Sequence, residues 1–158
     1  MVIDTLALFD LDHTLIPFDS GMAWTRILVG RGVLPAEAED RYLAYCHQYV
    51  AGTLDMRAMQ RNILQPLRHY PRALLAQWQN EFEAEMTSSV PASTLALVNR
   101  HQQAGHLCAI VTATSWLIAQ PLARVFGIDQ LLATVSGTVD GSPGGALTGE
   151  IDGEPCYQ

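Results

Sequence analysis

Lysine does not occur in this chain: the nine basic residues are all arginine, set against sixteen acidic ones for a net charge of -7. That balance excludes binding to a phosphate backbone, which relies on clustered Lys and Arg. Long uncharged runs are also scarce. The stretch from Leu107 to Ala123 lacks formal charge, but Thr112, Thr114, Ser115, Gln120 and Pro121 interrupt it. A membrane span needs about 20 largely apolar residues, so none is expected. Cysteine is limited to Cys46, Cys108 and Cys156, odd in number and far apart. This gives no disulfide framework and no metal-ligand spacing, and it points to a reducing cytoplasm. No basic residue precedes the first short apolar run, so a secretory signal is not expected at this terminus.

What is present suits a folded chain. Hydrophobic residues make up 49% and charged ones 16%, and the mean hydropathy is +0.12. At 158 residues there is room for one globular domain or for a small core carrying an insert. Residues 2–9 read as a strand apolar on both faces after Thr5, as in a covered parallel sheet. From Ser20 to Ser89 the periodicity is helical throughout. Ser20 is the expected N-cap of a first helix, Pro35 and Pro71 suit helix first turns, and Pro66 ends or kinks a third helix. A helix over 93–104 leads into the strand "HLCAIVTAT". A further helix, the short strand "QLLATVSG" and a glycine-rich hairpin follow. Strand and helix in alternation predict an α/β fold with a parallel, right-handed Rossmann-like core. Residues 1–17 and 90–158 would form that core, and 18–89 a helical insert over the strand tips, where open α/β sheets bind ligands.

The first strand ends in "FDLDHTL". Asp10 and Asp12 are one residue apart, and like charges this close need a reason to coexist. A turn in which Asp12 only caps the following residues is one reading. Phosphoryl transfer is the other. One carboxylate attacks phosphorus, while its neighbour protonates the leaving oxygen and later takes a proton from water. A hard, oxygen-seeking cation such as magnesium would offset the repulsion. Thr112 ends the second apolar strand just before a helix start, which suits either phosphate binding or helix capping, with Ser115 well placed as a cap.

"FDLDHTL" resembles the D-x-D-x-[TV] signature of the haloacid dehalogenase (HAD) superfamily, and "IVTAT" resembles its second motif. The helical insert looks like the C1 cap of the phosphoserine phosphatase-like branch, and "GIDQLLATVSGTVDGSPGGALTGEIDGEPC" is similar to a stretch of that branch. The resemblance implies a Mg2+-dependent hydrolase acting through an aspartyl-phosphate on a small phosphorylated metabolite, of the phosphoserine or histidinol phosphate kind. It implies Asp10 as nucleophile and metal ligand, and Asp12 as general acid/base with its backbone carbonyl on the metal. Thr112 and the Ala113 amide would hold phosphoryl oxygens, and Asp19 would meet a substrate amine. Asp19 also reads as an exposed loop acid, and Arg57 and Arg61 as a solvated helix face or partners for a substrate carboxylate.

The superfamily's third-motif lysine and fourth-motif acidic residues find no counterpart up to Gln158. The expectation is therefore a member cut short, with its first strand at an exposed sheet edge prone to homodimerisation or other association. A non-catalytic fragment retaining phosphate or protein binding is the alternative. A receiver-type phospho-acceptor is disfavoured, because it carries no helical insert after its first strand. The five histidines share no metal-ligand spacing, although His13 could line the site entrance, and Trp24, Trp78 and Trp116 read as core anchors.

Overall fold

Apolar residues ahead of Asp10 do form a strand, but a short one: β1 covers Leu6–Phe9. The computed structural model describes residues 2–156. After β1 come α1 (Ser20–Gly30), α2 (Glu37–Ala51), α3 (Met56–Leu64), a 3-10 turn (Gln65–His69) and α4 (Arg72–Thr87). Then follow α5 (Ala92–Gln103), β2 (Leu107–Ser115), α6 (Trp116–Val125), β3 (Gln130–Thr134), β4 (Ser136–Thr138) and β5 (Leu147–Ile151). Pro66 acts as anticipated, whereas Pro35 and Pro71 stand just ahead of α2 and α4 rather than in their first turns. Asp55 caps α3 by accepting from Ala58 N at 3.0 Å, Pro66 lies in the 3-10 turn that follows α3, and Gly52 closes α2 at φ 71°. No described helix is long and apolar enough to cross a membrane.

β1, β2 and β3 form a parallel sheet in the order β1-β2-β3, with Leu6 opposite Leu107 and Phe9 opposite Ile110. β1 is thus an edge strand among the described residues. It is not covered on both faces: Ala7 and Phe9 are buried, whereas Leu6 and Leu8 are 55% and 58% exposed. The alternation follows from the period of two along a strand, because only one face meets the core. β4 and β5 pair antiparallel as the expected hairpin.

The helices of the insert and those of the sheet share one hydrophobic cluster, in which Trp24, Leu75 and Phe82 join Ile110, Ile118 and Leu122. Trp24 meets Phe82 edge-on at 5.4 Å between ring centroids. α4 lies along α6, where Gln79 Nε2 donates to Leu117 O at 2.7 Å and Arg124 Nε reaches Glu83 at 2.6 Å. Trp116, expected in the core, opens α6 and is instead exposed. Arg57 and Arg61 lie on a solvated face and are both paired. Arg61 Nε donates to both Glu150 oxygens at 2.7 and 2.9 Å, and Arg57 reaches Gly153 O at 3.0 Å and Glu154 at 3.2 Å. Both tie α3 to the hairpin.

Phe82 is fully buried and Trp116 is 38% exposed, so the two should respond differently to truncation. Phe82→Ala is expected to cost about 3–5 kcal/mol of folding stability, and Trp116→Ala to stay within about 0.5 kcal/mol. Urea unfolding of the two variants checks this, and equal losses would contradict the packing.

Candidate active site

The chain leaves β1 at Phe9 and turns at once. Leu11 O accepts from the backbone N–H of Thr14, Leu15 and Ile16 at 3.2, 3.0 and 3.2 Å. Leu11, Leu15 and Ile16 are buried beneath this turn. With those apolar side chains inside, the polar residues between them line the other side: Asp10, Asp12 and His13 border a cavity. His13 adopts φ 56°, a left-handed conformation uncommon for a side-chain-bearing residue. Thr14 Oγ1 donates to Asp10 Oδ2.

Asp12 is held through both of its carboxylate oxygens. Its Oδ1 accepts from Ser20 N at 2.6 Å, and its Oδ2 accepts from Thr114 Oγ1 at 2.8 Å. Burial pushes its carboxyl above the usual aspartate range and the charge of Asp19 adds to this, while the hydrogen bonds from Ser20 and Thr114 oppose it. A carboxyl whose proton affinity is raised, beside a second carboxylate, suits proton transfer.

Helix α1 starts one residue earlier than its serine suggested. Asp19 is the N-cap, accepting from Met22 N at 2.8 Å through Oδ1. The Ser20 hydroxyl is buried without a partner, and its N–H goes to Asp12 instead. Asp19 Oδ1 also accepts from Tyr42 Oη at 2.7 Å, which ties α2 to the start of α1. A Cβ on Gly21 would lie 2.0 Å from that hydroxyl, so the absence of a side chain there lets Tyr42 reach Asp19. Burial raises the Tyr42 hydroxyl well above the ordinary phenol range, with the Asp19 charge contributing. The tyrosine therefore remains a proton donor. Burial likewise raises the Cys46 thiol, which argues against a thiolate nucleophile in this cavity.

The tip of β2 closes the other side. Its register with β3 shifts between Val111 and Ser115, and there Thr112, Ala113, Thr114 and Ser115 border the cavity with the aspartates. Thr112 is buried and its Oγ1 accepts from Thr114 N at 3.2 Å. The hydroxyl touching Asp12 is that of Thr114. Ser115 does not cap α6 through its side chain; its hydroxyl is buried and unpartnered. Ala113 O accepts from Gln60 Nε2 at 3.0 Å and from Thr134 Oγ1 at 2.8 Å. Gln60 was not anticipated. A lone glutamine on α3 reads as solvent-facing, and only its neighbours Met56 and Leu64 hint at a buried face. The cavity measures about 600 Å³ and its outer wall is built from α1, α2 and α3.

The tips of the parallel sheet thus carry two acids and a hydroxyl pair beneath a helical insert. The chain belongs to the haloacid dehalogenase-like hydrolase family, whose profile matches residues 7–158. It is 34% identical over 155 residues to a histidinol-phosphatase of Neisseria meningitidis serogroup C, covering 97% of this chain and 68% of that one. A phosphoserine phosphatase of Mycobacterium tuberculosis is 29% identical over 155 residues, covering 92% and 49%. The chain thus spans about two thirds of one curated relative and about half of the other. A crystal structure of a protein of unknown function from Bordetella pertussis Tohama I matches with a TM-score of 0.83 at 38% identity, covering 98% of this chain and 69% of that one. A phospho-aspartyl intermediate analogue of phosphoserine phosphatase shares the fold, with a TM-score of 0.61 at 19% identity over 97% and 65% of the two chains.

Because the Asp12 carboxyl titrates above the ordinary aspartate value, the folded protein retains a proton there that the unfolded chain releases. Folding stability therefore falls as pH rises from the usual carboxylate range (~3.9) through the native value of this group. Asparagine can accept from Ser20 N and donate to Thr114 Oγ1, so Asp12→Asn keeps both contacts without the buried charge. The variant should be more stable than wild type at about pH 7, with the advantage vanishing near pH 3. Denaturant unfolding across that range checks it, and a variant less stable at neutral pH would contradict the assigned environment.

Proposed function

We propose that this chain carries the phosphoryl-transfer centre of a cytoplasmic phosphatase for a small phosphorylated metabolite, with the helices of residues 18–89 acting as its cap. The observation that carries the reading is Asp12, a carboxylate with a raised pKa anchored between Ser20 N and Thr114 Oγ1, one residue beyond Asp10 at a strand tip.

Asp10 is the nucleophile. Its carboxylate oxygen forms a bond to phosphorus as the bond from phosphorus to the ester oxygen breaks. Asp12, protonated at that moment, gives its proton to the departing alkoxide. As a carboxylate it then takes a proton from water, the water oxygen bonds to phosphorus, and Asp10 leaves as a free carboxylate with release of inorganic phosphate. The Thr112 hydroxyl and the Ala113 N–H bind the phosphoryl oxygens, and the two donors on Ala113 O hold that peptide in place. Thr14 orients Asp10 through the bond to its Oδ2.

The donor set suits magnesium. The Asp10 carboxylate and the Asp12 backbone carbonyl are hard oxygen ligands, and magnesium is typically held by one or two carboxylates together with water and substrate phosphate. Among the described residues no group of three or more His, Cys, Asp and Glu gathers, which argues against a site built wholly from such side chains. Bound there, the ion would supply positive charge to offset the phosphoryl dianion. The raised pKa of Asp12 is a property that proton transfer uses and that a purely binding fragment does not need.

In the full-length protein, Asp10→Asn should reduce phosphomonoester turnover to background while the circular dichroism spectrum stays unchanged. Chelation should abolish wild-type turnover and added magnesium restore it. Near-normal activity in a mass-verified Asp10→Asn sample would move the chemistry to another residue.

A further inference from the structure

We infer that Gln60 is a positioning residue for phosphate: from α3 of the helical insert it fixes, through Ala113 O, the peptide that aims the Thr112 hydroxyl at the phosphoryl group. The inference rests on the phosphatase reading above and deepens it with a residue of the insert that touches no reacting atom.

The place of Gln60 in its helix is the first argument. Met56, Gln60 and Leu64 recur at every fourth position of α3 and are 7%, 2% and 1% exposed, so they form one buried stripe. An amide in such a stripe is costly unless both of its polar ends find partners. Here the nitrogen alone does so. Gln60 Nε2 donates to Ala113 O at 3.0 Å and lies 4.0 Å from Met56 Sδ, while Oε1 is buried without a partner among the described residues. Nor does Ala113 O depend on this bond, because Thr134 Oγ1 already donates to it at 2.8 Å. A half-satisfied amide that relieves no orphaned carbonyl is explained by what it holds rather than by packing.

Donor directions make the second argument. Cys156 N donates to Thr134 Oγ1 at 3.0 Å. An amide N–H cannot accept, so the Thr134 proton is free to go to Ala113 O. At the other end of the same peptide unit, Thr114 N donates to Thr112 Oγ1 at 3.2 Å. That bond occupies a lone pair and leaves the Thr112 proton to donate into the cavity that Thr112 borders. Two donors on Ala113 O polarise the peptide and strengthen its N–H as a donor to Thr112, since hydrogen bonds in series reinforce one another. The chain of bonds therefore runs from Gln60 and Thr134, through the Ala113–Thr114 peptide, to the hydroxyl assigned to the phosphoryl oxygens. One of its two origins lies in the insert, so seating α3 and binding phosphate are coupled.

The test compares Gln60→Met, which keeps the shape without the donor, with wild type in the full-length protein. In this variant kcat/KM should fall about three- to tenfold, the range of one neutral hydrogen bond. The loss should be equal for phosphoserine and 3-phenylpropyl phosphate, alkyl esters with unlike bodies, and inorganic phosphate should weaken as a competitive inhibitor by the same factor. The urea midpoint should stay at or above the wild-type value, because the variant buries no orphaned amide.

Gln60→Glu adds a readout that packing would not move. The introduced carboxyl can donate to Ala113 O only when protonated. Burial favours that form, as do Asp10, Asp12 and Asp19, which outnumber His13 and Arg26 around the cavity. Activity relative to wild type should therefore be higher at about pH 5 than at about pH 8, whereas the Gln60→Met ratio stays level. An unchanged kcat/KM in Gln60→Met, a loss confined to one ester, or a Gln60→Glu ratio that does not vary with pH would each overturn the inference. Should Gln60→Met not fold, the pH dependence of Gln60→Glu decides alone. If wild type hydrolyses no ester, the phosphatase reading fails on its own account, and the Thr114 amide resonance in a proton–nitrogen correlation spectrum decides the coupling. It should move in Gln60→Met and likewise in Thr134→Val; an unmoved resonance in Gln60→Met overturns the inference.

Discussion

The site depends on one buried carboxylate bridging three parts of the chain. Asp12 sits in the turn after β1, takes its hydrogen bonds from the first residue of α1 and from the tip of β2, and so fixes the helical insert against the sheet. Two charge-neutral donors hold an ionisable group that burial disfavours in its charged form. Such an arrangement stabilises the geometry at a cost that depends on protonation. Asp10 differs. It is steadied by Thr14 from the same turn, so its placement follows from the local backbone, itself anchored by buried Leu11, Leu15 and Ile16.

From this anchor the cavity is assembled by contacts that differ in kind. Tyr42 and Asp19 join α2 to α1 through a bond made possible by the bare backbone of Gly21. Gln60 joins α3 to the β2 tip from a buried position. The Arg61–Glu150 pair links α3 to the hairpin at the surface, where solvent screens it. The two inner contacts thus define the cavity wall, while the outer pair mainly sets the register of the hairpin. The hydrophobic cluster that takes in Trp24, Phe82 and Ile118 lies behind all of these and gives the wall something rigid to rest on.

Much of this was legible in the residues. An apolar run broken by Asp10 and Asp12, proline and glycine at helix boundaries, and alternation around "GSPGG" located the strand tip, the insert and the hairpin, because each signal is local. Where neighbours in space decide, the reading drifted. β1 is shorter and barer on one face than its composition implied, since Leu6 and Leu8 have no described layer above them. Asp19 rather than Ser20 caps α1, because the Ser20 N–H is drawn to Asp12. The bond from Thr114 to Asp12 was not foreseen, because it joins residues far apart in the chain. Gln60 and Tyr42 carry no sequence signal of a site at all; each acquires its role from a partner distant in the chain.

The central claim is that Asp10 becomes covalently phosphorylated during turnover. The most direct measurement is acid quenching of the full-length protein in the presence of a phosphomonoester, followed by peptide mass spectrometry. The account predicts a phosphoryl adduct on Asp10 that disappears as substrate is exhausted. An adduct on a different residue, or sustained turnover with no adduct on any, would contradict it.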